Sequence, residues 1–205
     1  MKKATFSGIK WIFCKIALCL VALVLMSCSA FAENTPLAVY TGIEIAFTYQ
    51  RGNTIASNQL AVWVEDEEGA VVKTLLVTDF TAGRRGYRNR TMSLPVWVAS
   101  ADPESMTNQE IDVLSAATPR PGELVYVWDF TNEAGEKVSE GIYTIHVEGT
   151  FYWESDVLYS AVIDTAQLAE EIAVEMERTA PDTHENENMI SEVTVKAISE
   201  GRETE

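Results

Sequence analysis

Apolar and polar residues alternate at every second position through most of the chain after residue 42, which is the period of a β-strand and not of a helix. The segment Ile43–Phe47 shows this alternation clearly. The same pattern over residues 59–78, interrupted by the turn sequence Asp66–Gly69, predicts a β-hairpin.

A second hairpin is predicted from the apolar run Leu124–Trp128, a loop that contains Asn132 and Gly135, and the alternating segment Gly141–Val147. The segment Ala166–Arg178 is rich in good helix formers, but its apolar residues also alternate, which favours a strand. Further strands are predicted over residues 150–163, 171–178 and 190–198.

The connection 79–122 is predicted to be mostly irregular, because Pro95, Pro103, Pro119 and Pro121 interrupt any long element. About seven short strands without strand–helix alternation predict an all-β fold, an antiparallel Ig/FnIII-like β-sandwich. We assign this sandwich to residues 42–198, with a linker at 33–41 and a charged, frayed tail at 199–205.

Residues 1–32 have the pattern of a secretory signal peptide. Four lysines flank or precede the uncharged apolar run 16–26, and Ala30–Phe31–Ala32 supplies a small-x-small cleavage site. The run is shorter than the roughly 20 residues that span a bilayer. Residues Leu25–Cys28 resemble the lipobox of bacterial lipoproteins, so lipidation at Cys28 is an alternative to cleavage after Ala32. Both alternatives predict an extracytoplasmic protein, periplasmic or secreted, that meets the membrane only through a lipid anchor.

The charge balance narrows the partners. Fifteen Lys and Arg residues stand against 31 Asp and Glu residues, a formal charge of −16. Such a surface repels phosphate backbones, so nucleic acid is excluded as a partner. All three cysteines lie in the predicted signal, so we expect neither a disulfide nor a thiolate metal site in the rest of the chain.

Residues 128–143, with the sequence WDFTNEAGEKVSEGIY, resemble the "W-D…G…V…G-x-Y" hairpin in the Ig-like domain of the flagellar hook-assembly protein FlgD. We expect Trp128 to pack inward, and Asp129 and Asn132 to bond to the turn backbone. Gly135 and Gly141 are expected to adopt conformations that a Cβ atom would forbid. The hairpin occurs in many extracellular sandwiches, so it implies a fold and not a role.

The wider layout, roughly residues 40–198, resembles the periplasmic domain-of-unknown-function 2271 family. Three features carry the resemblance: the hairpin 60–76 with its Trp63, the basic segment before Leu94–Trp97, and Asp112–Pro119. Members of that family tend to lie near flavin transferases and PepSY-type membrane redox proteins. The resemblance therefore implies an envelope partner of one of these kinds.

The segment Asp112–Thr118, D-V-L-S-A-A-T, is similar to the D-x-x-S/T-G-A-S/T motif to which bacterial flavin transferases attach FMN through a phosphoester. The resemblance implies that Thr118 would carry FMN. Ser115 would belong to the small-residue stretch that enters the transferase active site, and Asp112 would anchor the loop. Ala116 stands where the motif has glycine, and a positive φ there would cost on the order of 1 kcal/mol or more. The alternative is a small-residue loop without chemistry.

Four arginines lie within seven residues: Arg84, Arg85, Arg88 and Arg90. Guanidinium groups suit phosphate and carboxylate, so the cluster is a candidate site for an anion or a partner. The favoured alternative is that these arginines pair with acids of the same chain, such as Asp79 or Asp66.

The other candidates for a metal site or a catalytic site have weaker support in the sequence. The acidic turn Glu65–Glu68 lacks the spacing of a calcium loop, and His146 and His184 suggest no third zinc ligand. Ser115 with Asp112 lacks the G-x-S-x-G elbow of a hydrolase. We expect the aromatic residues Trp63, Trp97, Trp128 and Trp153 to be core and not a ligand-binding face.

The favoured function is a non-enzymatic, FlgD-like β-sandwich, secreted or periplasmic, that binds or assists another envelope protein. Its site would be the 79–122 connection, because long loops on rigid scaffolds carry recognition. Two alternatives remain open: an electron-transfer accessory that carries FMN at Thr118, and a flagellar hook-assembly factor.

Overall fold

A computed structural model describes residues 39–51, 57–152, 155–179 and 189–199. The predicted signal peptide, Cys28, Trp153 and His184 lie outside these residues.

The described part of the chain forms strands and two short helices, with a 3₁₀ turn at Gly86–Arg88. In chain order the elements are β1 (Tyr40–Tyr49), β2 (Gln59–Asp66), β3 (Val71–Thr78), α1 (Pro95–Ala101), α2 (Asn108–Leu114), β4 (Ser115–Ala116), β5 (Gly122–Trp128), β6 (Ile142–Tyr152), β7 (Ser155–Asp164), β8 (Glu171–Ile172), β9 (Glu175–Thr179) and β10 (Ile190–Ser199).

The strands form two sheets that pack together, as predicted for a β-sandwich. One sheet has four strands in the order β5-β1-β10-β8, and the other has six in the order β4-β3-β2-β6-β7-β9. Neighbouring strands are antiparallel except β3 and β4, which are parallel. The alternation in β1 buries Ile43, Ile45 and Phe47 between the sheets, where they meet Val62 and Ile145 of the six-stranded sheet.

The hairpin predicted over residues 59–78 is confirmed as β2 and β3, whereas the second predicted hairpin is wrong. Strand β5 pairs with β1, and β6 pairs with β2 and β7, so residues 124–128 and 141–147 lie in opposite sheets. Residues 129–141, which we call the arch, cross between the sheets, and the Trp128 and Tyr143 rings meet in the core at 5.1 Å between centroids. Alternation identifies strands, but it does not identify their pairing partners.

The connection 79–122 was expected to be mostly irregular, but it contains α1, α2 and β4. Pro95 does not interrupt a helix but occupies the first turn of α1, where its missing N–H costs nothing. Residues 79–114, which we call the cover segment, lie on the outer face of the six-stranded sheet. They form a second apolar cluster there with β2, so this strand is buried on both faces.

Candidate functional site

The second apolar cluster begins with the outward-facing side of β2. Ala61 and Trp63 point away from the sandwich core and are fully buried under Leu94, Trp97 and Ile111 of the cover segment. Trp63, Trp97 and Trp128 are all buried, which confirms their prediction as core residues.

A buried glutamate on β6 holds the start of α1. Glu148 Oε1 accepts a hydrogen bond from the Val96 N–H at 2.9 Å, and Oε2 accepts one from the Trp97 N–H at 2.8 Å. The first amides of a helix have no partner within it. Leu94, the residue before the helix, offers no side-chain cap, so a strand distant in sequence supplies the acceptors.

The backbone before α1 is fixed by the same strand. Leu94 has a φ of 53°, a left-handed conformation that costs a non-glycine residue on the order of 1 kcal/mol. Its N–H donates to Thr150 Oγ1 at 3.0 Å, and its side chain is fully buried. Packing and hydrogen bonding to β6 therefore hold a conformation that the local sequence does not favour.

Glu148 shares its buried surroundings with Asp156 of β7. Burial and the charge of Asp156 raise the pKa of Glu148 to about 8, against the lowering effect of the two helix amides. Burial likewise raises the pKa of Asp156 to about 6, and Thr150 Oγ1 donates to Asp156 Oδ1 at 3.3 Å. Two carboxyls that interact in one buried site favour holding a proton between them at neutral pH. This pair could not be recognised from the sequence, because both residues look like ordinary outward-facing polar positions.

The four arginines fall into two groups. Two are buried or half-buried and donate hydrogen bonds to backbone carbonyls, and two are exposed and form ion pairs. Arg85 donates to the carbonyls of Pro103 at 2.9 Å and Met106 at 3.3 Å, and to Asn108 Oδ1 at 3.2 Å. Arg90 is buried and donates to the Ser57 carbonyl at 2.7 Å.

The other two arginines meet acids of the same chain. Arg84 pairs with Asp79 and Arg88 with Glu104, each at 2.8 Å. The expected pairing with Asp79 is therefore present. Asp66 instead accepts the backbone N–H groups of its own turn. Binding of an external anion at these arginines stays a prediction.

The residues of the predicted flavin motif are spread over the end of α2 and the following loop. Asp112 is exposed on the helix, Ser115 is half-buried, and Thr118 is exposed beyond β4. Ala116 is extended in β4, where its carbonyl accepts from the Asp79 N–H at 2.7 Å, so the expected cost of a positive φ does not arise.

A groove of about 540 Å³ lies between α2 and the arch, and we call it the α2 groove. Its lining residues are Met106, Thr107, Gln109, Glu110, Val113, Leu114 and Glu133. Val113 is 78% exposed, the most exposed large apolar side chain of the described residues. The groove therefore combines apolar side chains with two carboxylates.

Both walls of the groove are fixed by hydrogen bonds. Thr107 and Glu110 cap α2 reciprocally, and the Thr107 N–H lowers the pKa of Glu110. On the other wall, the Glu133 N–H donates to the Val72 carbonyl at 3.0 Å, and Glu133 Oε1 accepts from the Thr74 N–H at 2.6 Å.

The arch matches most of what its motif predicts. Asp129 Oδ1 accepts from the Thr131 N–H and hydroxyl, and the latter bond lowers the pKa of Asp129. Asn132 Oδ1 accepts from two backbone N–H groups of the turn, and Gly135 has a φ of 79°. The expectation for Gly141 is wrong, since its φ is not positive and an added Cβ would meet only an ordinary contact.

A polar row crosses three strands at the outer face of the six-stranded sheet. His146 Nδ1 lies 3.0 Å from Ser160 Oγ, and His146 Nε2 lies 3.4 Å from Glu65 Oε2, which is a serine–histidine–carboxylate order. Burial lowers the pKa of His146, which favours its neutral form. Trp63 stacks on the ring and donates to Glu65 Oε1 at 2.7 Å. Within the described ranges, no group of three His, Cys, Asp or Glu residues is arranged to hold a metal ion.

A family model described as a predicted periplasmic protein (DUF2271) matches residues 42–179. The chain belongs to this family, and its location is extracytoplasmic. No curated protein and no solved structure matches the chain. No helix in the described part of the chain is long and apolar enough to cross a bilayer.

Proposed function

We propose that this chain is a non-enzymatic periplasmic β-sandwich that binds another envelope protein through the α2 groove. The observation that carries the proposal is the exposed Val113 beside a preformed groove on the cover segment. Large apolar side chains exposed in a concave surface are typical of binding sites.

The cover segment is held by hydrogen bonds to the rest of the fold, and this rigidity supports its role as a recognition surface. Arg85 ties the 3₁₀ region to residues 103–108, while Glu148 ties α1 to β6. A surface already ordered before binding loses less conformational entropy when the partner docks.

The groove also indicates the chemistry of its partner. Met106, Val113 and Leu114 offer apolar contact, and Glu110 and Glu133 lie beside them. A partner segment with an apolar side chain next to Lys or Arg complements both features, and the net charge of −16 favours a basic partner at longer range.

The surroundings of Ser160 support a role without catalysis. Ser160 lies in the middle of β7, and its position pairs with His146 on one side and Glu175 on the other. Backbone N–H groups that are engaged in a sheet ladder are not free to bind an oxyanion, which acyl transfer requires. We therefore propose that the polar row stabilises the sheet.

Two matched valine substitutions test the proposal. Val113→Asp places a charge in the α2 groove, whereas Val162→Asp does so on β7, at a valine that is 62% exposed. In a pull-down from envelope extract, we expect Val113→Asp to lose the protein that wild type retains and Val162→Asp to keep it. Equal retention by both variants would contradict the proposal, provided that their urea midpoints match wild type.

A flavin-carrying accessory is the second candidate function. It is favoured by the exposure of Thr118 and by the unstrained, extended Ala116. A flavin dinucleotide would supply FMN: a bond forms between Thr118 Oγ1 and phosphorus, the pyrophosphate bond breaks, and the hydroxyl proton leaves with the nucleotide product. The partner would then be a flavin transferase or a PepSY-type redox protein.

Mass spectrometry decides this second candidate. In cells that express a flavin transferase, we expect the peptide containing Thr118 to carry FMN in wild type and in Ser115→Ala, but not in Thr118→Ala. An unmodified wild-type peptide rules the candidate out.

Two finer identities remain proposals. A hook-assembly role, which only the resemblance of the arch motif to FlgD suggests, predicts loss of motility when the gene is deleted. Lipidation at Cys28 predicts labelling by a palmitate analogue that Cys28→Ser abolishes.

A further inference from the structure

Strand β5 forms one edge of the four-stranded sheet. It pairs with β1 over Gly122–Trp128 without a register shift, and no other described strand pairs with its opposite edge. A free edge presents a row of backbone N–H and C=O groups that can pair with another strand.

The side chains of this edge lack the usual protection against pairing. Val125 and Val127 lie on the outer face and are 51% and 49% exposed. From Leu124 to Trp128 there is no proline and no charged residue, and these are the devices that normally block an edge.

The edges of the six-stranded sheet are treated differently. Strand β9 has the sequence EMERT, which places charges along its length. The open part of β3 is covered by the arch, whose Glu133 bonds to Val72 and Thr74. Compared with these two edges, β5 is suited to pairing.

The charges around the two valines restrict the occupant. In the register of the sheet, Glu44 lies opposite Val127, and Glu123 belongs to β5 itself. On the other side of Glu44, Lys196 of β10 lies opposite it and is also 3.6 Å from Glu171, so one lysine is shared between two carboxylates. A second copy of this acidic chain would be repelled, whereas a basic segment would be attracted.

We propose that β5 accepts an extended, basic segment of a partner polypeptide as an added strand. On the outer face, alternate side chains of that segment pack on Val125 and Val127, while Lys or Arg residues at the flanking positions of the same face lie toward Glu123 and Glu44. Main-chain hydrogen bonds supply affinity, and the side-chain alternation supplies specificity. The inference does not depend on the α2 groove, which is formed by other residues.

Two synthetic peptides separate strand pairing from charge attraction. One is a nine-residue peptide whose even positions are Lys, Val, Val and Lys and whose odd positions are threonine, so that its valines and lysines share one face. The other is the same peptide methylated on the backbone nitrogens of one edge. With the first in excess, we expect hydrogen exchange of the unpaired β5 amides to slow at least tenfold. The methylated peptide is expected to change it less than twofold, because it retains the charge but cannot donate.

Two lysine substitutions locate the effect. Val125→Lys puts a charge at the edge and is expected to weaken binding at least tenfold, whereas Thr194→Lys, on β10, should weaken it less than threefold. Equal protection by both peptides, no protection by either, or equal loss in both variants would overturn the inference. So would dimerisation through β5 without peptide, detected by sedimentation, because the occupant would then be a second copy.

Discussion

The two outer faces of this sandwich differ in what covers them. The outer face of the six-stranded sheet carries the cover segment, two fully buried tryptophans and a buried carboxyl pair. The outer face of the four-stranded sheet carries the half-exposed Val125 and Val127 among polar residues. The outer face of the six-stranded sheet is therefore covered by a second layer, whereas that of the four-stranded sheet is open to solvent. The two faces suit different kinds of recognition.

The sequences of two strands already indicate this difference between the outer faces. Strand β1 alternates apolar and polar residues, as expected of a strand with one buried face. In β2, by contrast, Leu60–Val64 is apolar throughout and fully buried. A continuous apolar strand beside a long connection indicates a second layer on its far side.

The largest expected difference between the faces concerns Trp97. Trp97→Ala removes a fully buried side chain of the second cluster, and we expect it to lower the free energy of unfolding by about 3–5 kcal/mol. Val127→Ala on the open face should change it by at most about 0.5 kcal/mol. Urea denaturation measures both, and similar losses would mean that the cover segment contributes no core.

A smaller effect distinguishes two neighbouring arginines of the cover segment. Arg85→Ala removes three hydrogen bonds to residues 103–108, so we expect a loss of about 2 kcal/mol. Arg84→Ala breaks only an exposed ion pair with Asp79 and should cost at most about 0.5 kcal/mol. If Arg84→Ala lowers the free energy of unfolding as much as Arg85→Ala, then the distinction between arginines that hold the cover segment and arginines in surface ion pairs is wrong.

The carboxyl pair makes the covered face sensitive to pH. Both pKa values are raised in the folded chain, so the folded state binds more protons than the unfolded state between about pH 4 and pH 8. This contribution is complete below about pH 4 and is lost as pH rises through about 6 and 8. We expect a loss of at least about 1 kcal/mol between about pH 5 and pH 8.5.

The Glu148→Gln variant isolates this contribution from the rest of the acidic surface. Glutamine retains the shape and cannot ionise, so the loss of stability between the two pH values should be smaller than in wild type. An unchanged pH dependence would show that the buried pair does not titrate as described.

The smallest effect is expected on the open face. Lys196→Ala removes an exposed pairing with Glu171 and should change the unfolding free energy by at most about 0.5 kcal/mol. A loss above about 1 kcal/mol would indicate that the open face contributes more to stability than its exposure implies.

Periodicity predicted the strands near β1, β2, β3 and β10 and the burial of the tryptophans. It failed on the pairing of β5, because the partner of Trp128 is Ile43, far away in the chain, and no local pattern encodes that choice. It also failed on Glu148, which occupies a position that resembles its exposed-looking neighbours Thr144 and His146.

One signal could have found the role of Glu148. Leu94 and Pro95 begin α1 without a capping side chain, so the acceptors for its first amides must come from elsewhere. The α2 groove could not be predicted from the sequence for a different reason. Glu133 lines the groove only because the arch crosses from one sheet to the other.

Native-state hydrogen exchange at the Trp97 amide tests the central claim that the cover segment is a rigid layer fixed by Glu148. The account predicts that this amide exchanges only when the whole domain unfolds, so its opening free energy equals that from urea denaturation. An opening free energy well below the global value would show that α1 detaches on its own, and the account of a preformed recognition surface would be wrong.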